Sequence, residues 1–157
     1  MVDLKQCRAK FYSSFNSIYC KISKSNEFVI VNLVKSFCVP IAMYSLEALD
    51  LNASLLSSLD NLLFQAFCKI FKSYDHNTIN WCMCYMNTWP LKFEYFNRKF
   101  RFLTKLLKFE NILLLTSYNL FGNKELLNLC NKFNAEKVNS VAFKNLVWNN
   151  FESTLSK

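Results

Sequence analysis

The stretch that decides the fold reads Lys35-Ser36-Phe37-Cys38-Val39-Pro40-Ile41-Ala42-Met43-Tyr44-Ser45-Leu46-Glu47-Ala48-Leu49. It joins two apolar helical patterns through a proline that we expect to be buried. Inside a helix a proline lacks the N–H and strikes the carbonyl four residues earlier, at a cost of about 3 kcal/mol. The stretch therefore predicts a kink or break at Pro40, followed by helix to about Leu49 with Ile41, Tyr44 and Ala48 on one face.

Composition favours an all-α fold, a multi-helix bundle whose second helix is kinked by proline. The chain has 157 residues, 52% of them hydrophobic and 17% aromatic, which is enough for a real core. One glycine and two prolines leave little material for β-hairpin turns or for a phosphate-binding loop. We expect one helical domain over residues 1–109 and a helical extension over 110–157 that packs on it or is partly ordered.

Apolar periodicity predicts the remaining helices. The predicted ranges are Leu4–Ile22, a second helix from about Asn26 into Pro40, a third that is capped by Asn52 or Ser54 and ends near Phe71, Ile79–Tyr85, one that Pro90 starts, one ending near Leu120, Lys124–Phe133 and Glu136–Leu155. In the helix after Pro90, one face is apolar: Phe93, Phe96, Phe100, Leu103 and Leu107. The Phe121-Gly122-Asn123 sequence predicts a break.

Cysteine usage and the first residues indicate an intracellular protein, nuclear or cytoplasmic. The seven cysteines are an odd number and fall mostly at apolar helical positions, as free thiols do in a reducing compartment. No apolar segment of a secretory signal follows the charged first residues. The most membrane-like window, Phe28–Leu46, is interrupted by Asn32, Lys35, Ser36 and Pro40, so we predict a buried core helix and no membrane span.

Metal binding and catalysis are not favoured by the spacing of the ligand-type residues. The types that zinc prefers are present as His76, Cys68, Cys82, Cys84 and Cys130. However, a Cys-x-Cys pair on a helix points its two thiols about 200° apart, and no Cys-x-x-Cys motif accompanies it. A lone histidine in an Asp-His-Asn turn is typical of a solvated loop, and no pair of acidic residues is placed to hold two metal ions. We predict no metal, no cofactor, no small-molecule substrate and no catalysis by this chain.

A row of cations is the strongest functional signal. Arg98, Arg101, Lys105 and Lys108 are spaced three, four and three residues apart, which places them along nearly one helix face. Such a row suits the phosphates of a nucleic-acid backbone, in keeping with the formal net charge of +8. Lys5, Arg8 and Lys10 on the first helix would extend it. A solubilising helix face explains the same pattern equally well.

Four blocks of sequence, taken in order, resemble a known family. They are Arg8-x-x-Phe11-Tyr12-x-x-Phe15-Asn16-x-Ile18, then Lys35-Ser36-Phe37-Cys38-Val39-Pro40-x-x-Met43-Tyr44-Ser45-x-Glu47, then Leu59-Asp60 with Cys68-Lys69-Ile70-Phe71, and finally Arg98-Lys99-Phe100-Arg101-Phe102-Leu103. From about Asp3 to Leu107 the chain resembles the segment after the palm in LINE-type non-LTR retrotransposon reverse transcriptases. The family usually has glycine where this chain has Ser45.

The resemblance implies an all-helical thumb with a C-terminal extension, which grips the template–primer duplex beside a polymerase site. Its structural signature is Phe37, Cys38, Pro40, Tyr44 and Glu47, with Glu47 expected to make a local hydrogen bond. The family's catalytic Asp-Asp motif, fingers, palm, endonuclease and Cys/His knuckle are not among these residues. The resemblance therefore implies a fragment of a transposable element's RNA-directed DNA polymerase, partnered by the rest of the polyprotein and without polymerase activity of its own.

The alternative is an intracellular helix-bundle interaction module, which presents an apolar groove to a partner helix or rests on an acidic membrane surface. Exposed apolar surface would favour this alternative, and complete burial of Phe93, Phe96 and Phe100 without any groove would count against it. An unpartnered thumb would likewise leave apolar surface exposed, which predicts a self-associating or partly ordered chain, especially beyond Leu120.

Overall fold

A computed structural model describes residues 4–135 and 139–155, and these residues form helices joined by short turns, without a strand. This confirms the all-α multi-helix fold. The α-helices are α1 (Leu4–Ile22), α2 (Glu27–Leu33), α3 (Val39–Met43), α4 (Ala53–Phe71), α5 (His76–Tyr85), α6 (Leu91–Leu106), α7 (Ile112–Ser117), α8 (Asn123–Lys132) and α9 (Ser140–Leu155). Two π-helical turns, Val34–Cys38 and Tyr118–Gly122, and a short 3-10 turn, Leu46–Ala48, complete the described structure.

The chain forms two compact units, which divide at a different place from the domain boundary predicted after residue 109. The first unit comprises the described residues up to Ser45 together with Asp50–Lys92. The second comprises Leu46–Leu49 and the described residues from Phe93 onwards. Most of α6 thus belongs with the C-terminal helices, because its aromatic side chains pack on α8 and α9.

The first unit is built on α1 and α4, whose bounds agree with the predicted helices to within a few residues. Phe11 and Phe15 of α1 are buried, and the Tyr19 hydroxyl donates to the carbonyl of Lys69 at 3.1 Å. Asn52 is the N-cap of α4, since its side chain accepts the N–H of Leu55 at 2.9 Å. The broad apolar face of α4 is buried: Leu59, Leu62, Leu63, Ala66, Phe67, Cys68 and Ile70.

The proline of the opening stretch sits on the outside of the helix, contrary to the expectation of burial. Pro40 is exposed and lies in the first turn of α3. The preceding turn widens to π geometry, in which the Val39 N–H donates to the Val34 carbonyl five residues back. A π turn changes the backbone hydrogen-bonding pattern at the point where proline cannot donate a hydrogen bond. A proline that faces water also costs less stability than a proline in a core.

The helix that follows Pro40 ends at Met43, six residues before the predicted end near Leu49. Tyr44 is extended, and Ser45 has a left-handed backbone with φ 59. Ile41, Tyr44 and Ala48, which the sequence predicts to lie on one helix face, are all exposed, and the helix ends before it reaches Ala48. A residue with positive φ cannot continue a right-handed helix, so α3 ends before Ser45.

Replacing Ser45 with glycine should stabilise the protein by about 0.5–1 kcal/mol, because glycine adopts positive φ without the clash of a β-carbon. Urea unfolding followed by circular dichroism measures the change. The matched control is Ser57→Gly, an exposed site within α4, where the same substitution should destabilise by a similar amount. Destabilisation at both sites would contradict the role of backbone conformation at Ser45.

The stretch Glu27–Ala48 is the one part of the described chain that is long and apolar enough, by length and composition, to cross a membrane, and 39% of its most apolar window is buried. One face packs in the first unit through Ile30, Val31, Val34 and Cys38. The opposite face is exposed: Phe28, Val29, Phe37, Ile41 and Tyr44. The prediction of a buried core helix therefore holds for one face only, because the other face is not covered by any of the described residues.

The second unit has an aromatic core between α6, α8 and α9. Phe100 stacks on Phe143 with ring centroids 4.0 Å apart, and Phe133 meets both Phe96 and Phe143 edge-on. All four rings are buried. Edge-to-face and stacked pairs of this kind add to the area that the rings bury, so they hold the three helices together.

Gly122 does not break the helix as predicted, because α7 runs into α8 through the π turn and Gly122 itself has a right-handed helical φ of −65. Its role is close packing. A β-carbon there would lie 2.7 Å from Cδ2 of Tyr118, whose side chain is 5% exposed. Only glycine leaves room for that ring.

Gly122→Ala should therefore destabilise the protein by about 1 kcal/mol, although alanine is by far the better helix former. Thermal unfolding measures it. The exposed helical residue Asn119 provides the control, since Asn119→Ala should be neutral or slightly stabilising. Stabilisation by both substitutions would show that the Tyr118 ring moves aside without cost.

Candidate nucleic-acid interface

Helix α6 carries the predicted cation row and is fixed by its opposite face. Phe93, Phe96, Phe100 and Leu103 are buried, as the apolar periodicity predicts. Leu107 is 48% exposed, contrary to prediction, because α6 ends at Leu106 and the chain turns there. The buried face orients the cations of α6 away from the aromatic core.

The cation row is only partly continuous in the structure. Arg101 and Lys105 are exposed on α6, and Arg98 is partly exposed, since its Nε donates to the Glu94 carboxylate at 2.7 Å. Lys108 is exposed but lies in the turn that follows α6. Three of the four cations thus share one helix, at axial steps of about 4.5 and 6 Å, and the fourth continues beyond its end.

Arg98, Arg101 and Lys105 line one pocket of about 290 Å³, which lies wholly within the second unit. The other lining residues are Glu47, Glu94 and Phe102. Three cations against two carboxylates leave a formal charge of +1 on the lining. The pocket therefore favours a ligand with negative charge but also offers acceptors to hydrogen-bond donors.

Glu47 enters this pocket from the 3-10 turn and lacks the local hydrogen bond that the resemblance led us to expect. Its Oε2 atom is buried and accepts no hydrogen bond from the described residues. The segment that carries it is tied to α6 at Leu49, whose carbonyl accepts from the Tyr95 hydroxyl at 2.7 Å and from Lys99 Nζ at 3.0 Å. These bonds place the Glu47 carboxylate beside the cations.

Sequence reasoning missed two of the lining residues, although both carried a signal. Glu94 lies four residues before Arg98, the spacing at which a carboxylate and a guanidinium pair on a helix. Phe102 lies four residues after Arg98 and three before Lys105, so it falls on the charged face and not on the apolar one. The sequence signal for Phe102 is therefore an aromatic residue among cations on one helix face.

The remaining predicted site residues lie elsewhere. Lys5 and Arg8 are exposed on α1, which belongs to the first unit. Of the structural signature, Cys38 is buried, while Phe37 and Tyr44 are 57% and 81% exposed. The signature is thus divided between the core of the first unit, its surface, and the Glu47 pocket.

The residues considered above as metal ligands or catalytic groups are packed against other side chains or occur as free thiols. No three of the metal-ligating side chain types His, Cys, Asp and Glu meet in the described part of the chain. His76 stacks on Phe64 with centroids 4.1 Å apart, and all seven cysteines are free thiols. Burial raises the pKa of Cys38 and of Cys68, which keeps these thiols protonated.

Asp60, on α4, caps the start of α6. Its Oδ1 accepts the backbone N–H of Lys92 at 2.7 Å, and its Oδ2 lies 3.3 Å from Lys92 Nζ. Burial raises the pKa of this carboxyl, against the opposing pull of Lys92. Because both of its oxygens contact Lys92, the Asp60 carboxylate stabilises the first unit.

No protein-family model, no curated protein and no solved structure matches this chain.

Proposed function

We propose that this protein binds nucleic acid, an RNA–DNA or DNA duplex, through the backbone phosphates and without catalysis of its own. The observation that carries the proposal is the common placement of Arg98, Arg101 and Lys105 on one pocket, with Lys108 continuing the row. Lys5 and Arg8 would add contacts from the first unit. Cations that replace the counterions of a duplex give binding that is strong at low salt and indifferent to sequence.

Two further observations support the origin that the resemblance implies, a thumb-like fragment of a retrotransposon polymerase. Ser45 stands where the family usually has glycine, and its φ of 59 is a conformation that favours glycine. The signature residues Phe37 and Tyr44 are exposed, as expected for a segment that docks on another domain. On this proposal the polymerase active site belongs to a separate part of the parent polyprotein.

Binding should be measured as the affinity for a fluorescent RNA–DNA duplex across a salt series from about 50 to about 200 mM. Replacing Arg98, Arg101, Lys105 and Lys108 together with glutamine should reduce the slope of log K against log salt by about 3 to 4, since each phosphate contact contributes about 0.9. A second variant, Lys5→Gln with Arg8→Gln, measures whether α1 adds to the slope.

The control removes the same charge from exposed cations outside the pocket, namely Lys21, Lys24, Lys72 and Lys124. If binding depended only on net charge, both quadruple variants would lose the same slope. Equal losses, or affinity that does not vary with salt in the unaltered protein, would refute the proposed interface.

An interaction module without a nucleic-acid role remains the second candidate, favoured by the exposed apolar residues. The buried rings Phe93, Phe96 and Phe100 offer no groove, but large apolar side chains are exposed on the α2–α3 face and around α7. In the second unit they include Leu107, Phe109, Ile112, Leu113, Leu120 and Phe121. Surfaces of this kind mark interfaces or association-prone patches.

Sedimentation velocity over a range of concentrations tests this candidate. We expect concentration-dependent association, reduced when Ile112 and Leu113, which are 76% and 74% exposed, are both replaced with glutamine. A monodisperse monomer at all concentrations would show that the exposed apolar side chains attract no second copy.

A further inference from the structure

The pocket on α6 contains more than phosphate binding requires. A row of cations would suffice for a duplex backbone, yet two carboxylates and an aromatic ring share the lining. A simple anion would be attracted by the cations but repelled by Glu47 and Glu94. The lining therefore fits a ligand that combines a negative group with hydrogen-bond donors.

Glu47 supplies the most specific feature. Its Oε2 has neither solvent nor a donor among the described residues. A buried acceptor without a donor is unfavourable, so a ligand N–H at that point replaces a missing interaction. Glu94 differs, because it is engaged by Arg98.

Phe102 supplies a flat apolar surface. The other phenylalanines of α6, Phe93, Phe96 and Phe100, are buried among aromatic neighbours. Phe102 is partly exposed and lines the pocket. Aromatic side chains beside a cationic groove are the usual platforms on which unpaired bases stack.

We propose that the pocket holds one unpaired nucleotide at the end of the bound duplex, with its base on Phe102, its phosphate toward Arg101 and Lys105, and its Watson–Crick edge donating to Glu47. This rests on the nucleic-acid binding proposed above and names the part of the ligand that the pocket takes. The volume of about 290 Å³ lies near the lower end of small-ligand sites, which suits a single nucleotide.

The Glu47 carboxylate should distinguish the bases by the hydrogen-bond donors on their Watson–Crick edges. Guanine presents two adjacent donors, N1–H and the N2 amino group, which a carboxylate accepts together. Cytosine and adenine offer one amino group each, beside an acceptor. The N3–H of uracil stands between two carbonyl oxygens, which repel a carboxylate. The expected order is therefore guanine first and uracil last.

The test uses three RNA–DNA duplexes, one blunt, one with a single unpaired guanine at its end and one with a single unpaired uracil. We expect the guanine end to bind about tenfold more tightly than the uracil end. Glu47→Gln should abolish that preference, because an amide both donates and accepts. Glu110→Gln, at an exposed carboxylate beyond α6, should preserve it.

A second variant tests stacking. Phe102→Leu should bring the affinities of both overhang duplexes toward that of the blunt duplex. Phe109→Leu, at a ring that is 52% exposed outside the pocket, is the control. Unchanged thermal unfolding of Glu47→Gln and Phe102→Leu verifies that both variants fold.

The outcomes separate this inference from the proposed function. Salt-dependent binding with equal affinity for all three duplexes overturns the inference and leaves phosphate binding intact. If no duplex binds in a salt-dependent way, the proposed function fails, and titration with GMP and UMP decides about the pocket. Shifts of the Phe102 and Glu47 NMR signals by GMP but not by UMP support the inferred nucleotide site, and the absence of these shifts overturns it.

Discussion

Lys99→Met should destabilise the protein by about 3 kcal/mol, because it removes a buried cation on which three groups converge. Lys99 Nζ lies 3.0 Å from the Leu49 carbonyl, 3.0 Å from the Tyr95 hydroxyl and 3.2 Å from Glu125 Oε2. The lysine side chain is 3% exposed, so no water replaces it readily. Removing one partner of a buried ion pair costs far more than the pair contributes, since the other groups are left without their donor.

Urea denaturation measures the loss, and Lys105→Met is the matched control on the same helix. Lys105 is exposed, so its replacement should change the free energy of unfolding by less than about 0.5 kcal/mol. Adding Glu125→Gln to Lys99→Met should recover part of the stability by removing the unpaired carboxylate. Equal effects of the two lysine substitutions would contradict the role assigned to Lys99.

Phe100→Ala should cost about 3–5 kcal/mol, as expected when a buried phenylalanine is truncated and leaves a cavity. Phe100 is 2% exposed, and its ring lies nearly parallel to that of the fully buried Phe143. The substitution removes the central contact between α6 and α9. Calorimetry should record a lower unfolding temperature, and the near-ultraviolet circular dichroism of the aromatic core should weaken.

Phe121→Ala is the control for this substitution, since the Phe121 ring is 69% exposed. We expect a change below about 0.5 kcal/mol there. Phe100→Leu should fall between the two, because leucine fills part of the cavity. A small effect of Phe100→Ala would mean that α9 closes onto α6 without the ring, and the described packing would then be incorrect.

Local signals predicted most helices well. The bounds of the helix Leu4–Ile22, the cap at Asn52 and the apolar face of α6 up to Leu103 correspond to the structure, because each depends on residues only three or four positions apart. The errors occur where side-chain packing or the backbone conformation of one residue overrides the usual preference of the residue type. Gly122 reads as a breaker but is needed by Tyr118, and α3 stops at Met43 because Ser45 takes a left-handed turn.

In the stretch from Lys35 to Leu49, too, the sequence determined some features and not others. Its sequence alone determined an apolar helical stretch that contains a proline, and the missing N–H and the ring clash belong to that residue itself. Its sequence could not show that Pro40 and Tyr44 face outward, nor that Glu47 belongs to a different unit from the residues up to Ser45. The placement of Glu47 beside α6 depends on Lys99 and Tyr95, which lie about fifty residues later and donate to the Leu49 carbonyl.

For the candidate site, the sequence by itself determined the net positive charge and the helical spacing of Arg98, Arg101 and Lys105. Periodicity is sufficient for that, because residues three and four apart share a helix face. Only the tertiary structure decided that Glu47 joins them in one pocket with an unpartnered oxygen. The physical reason is that burial and hydrogen-bond satisfaction depend on which segments pack together, and packing brings together residues that no local pattern connects.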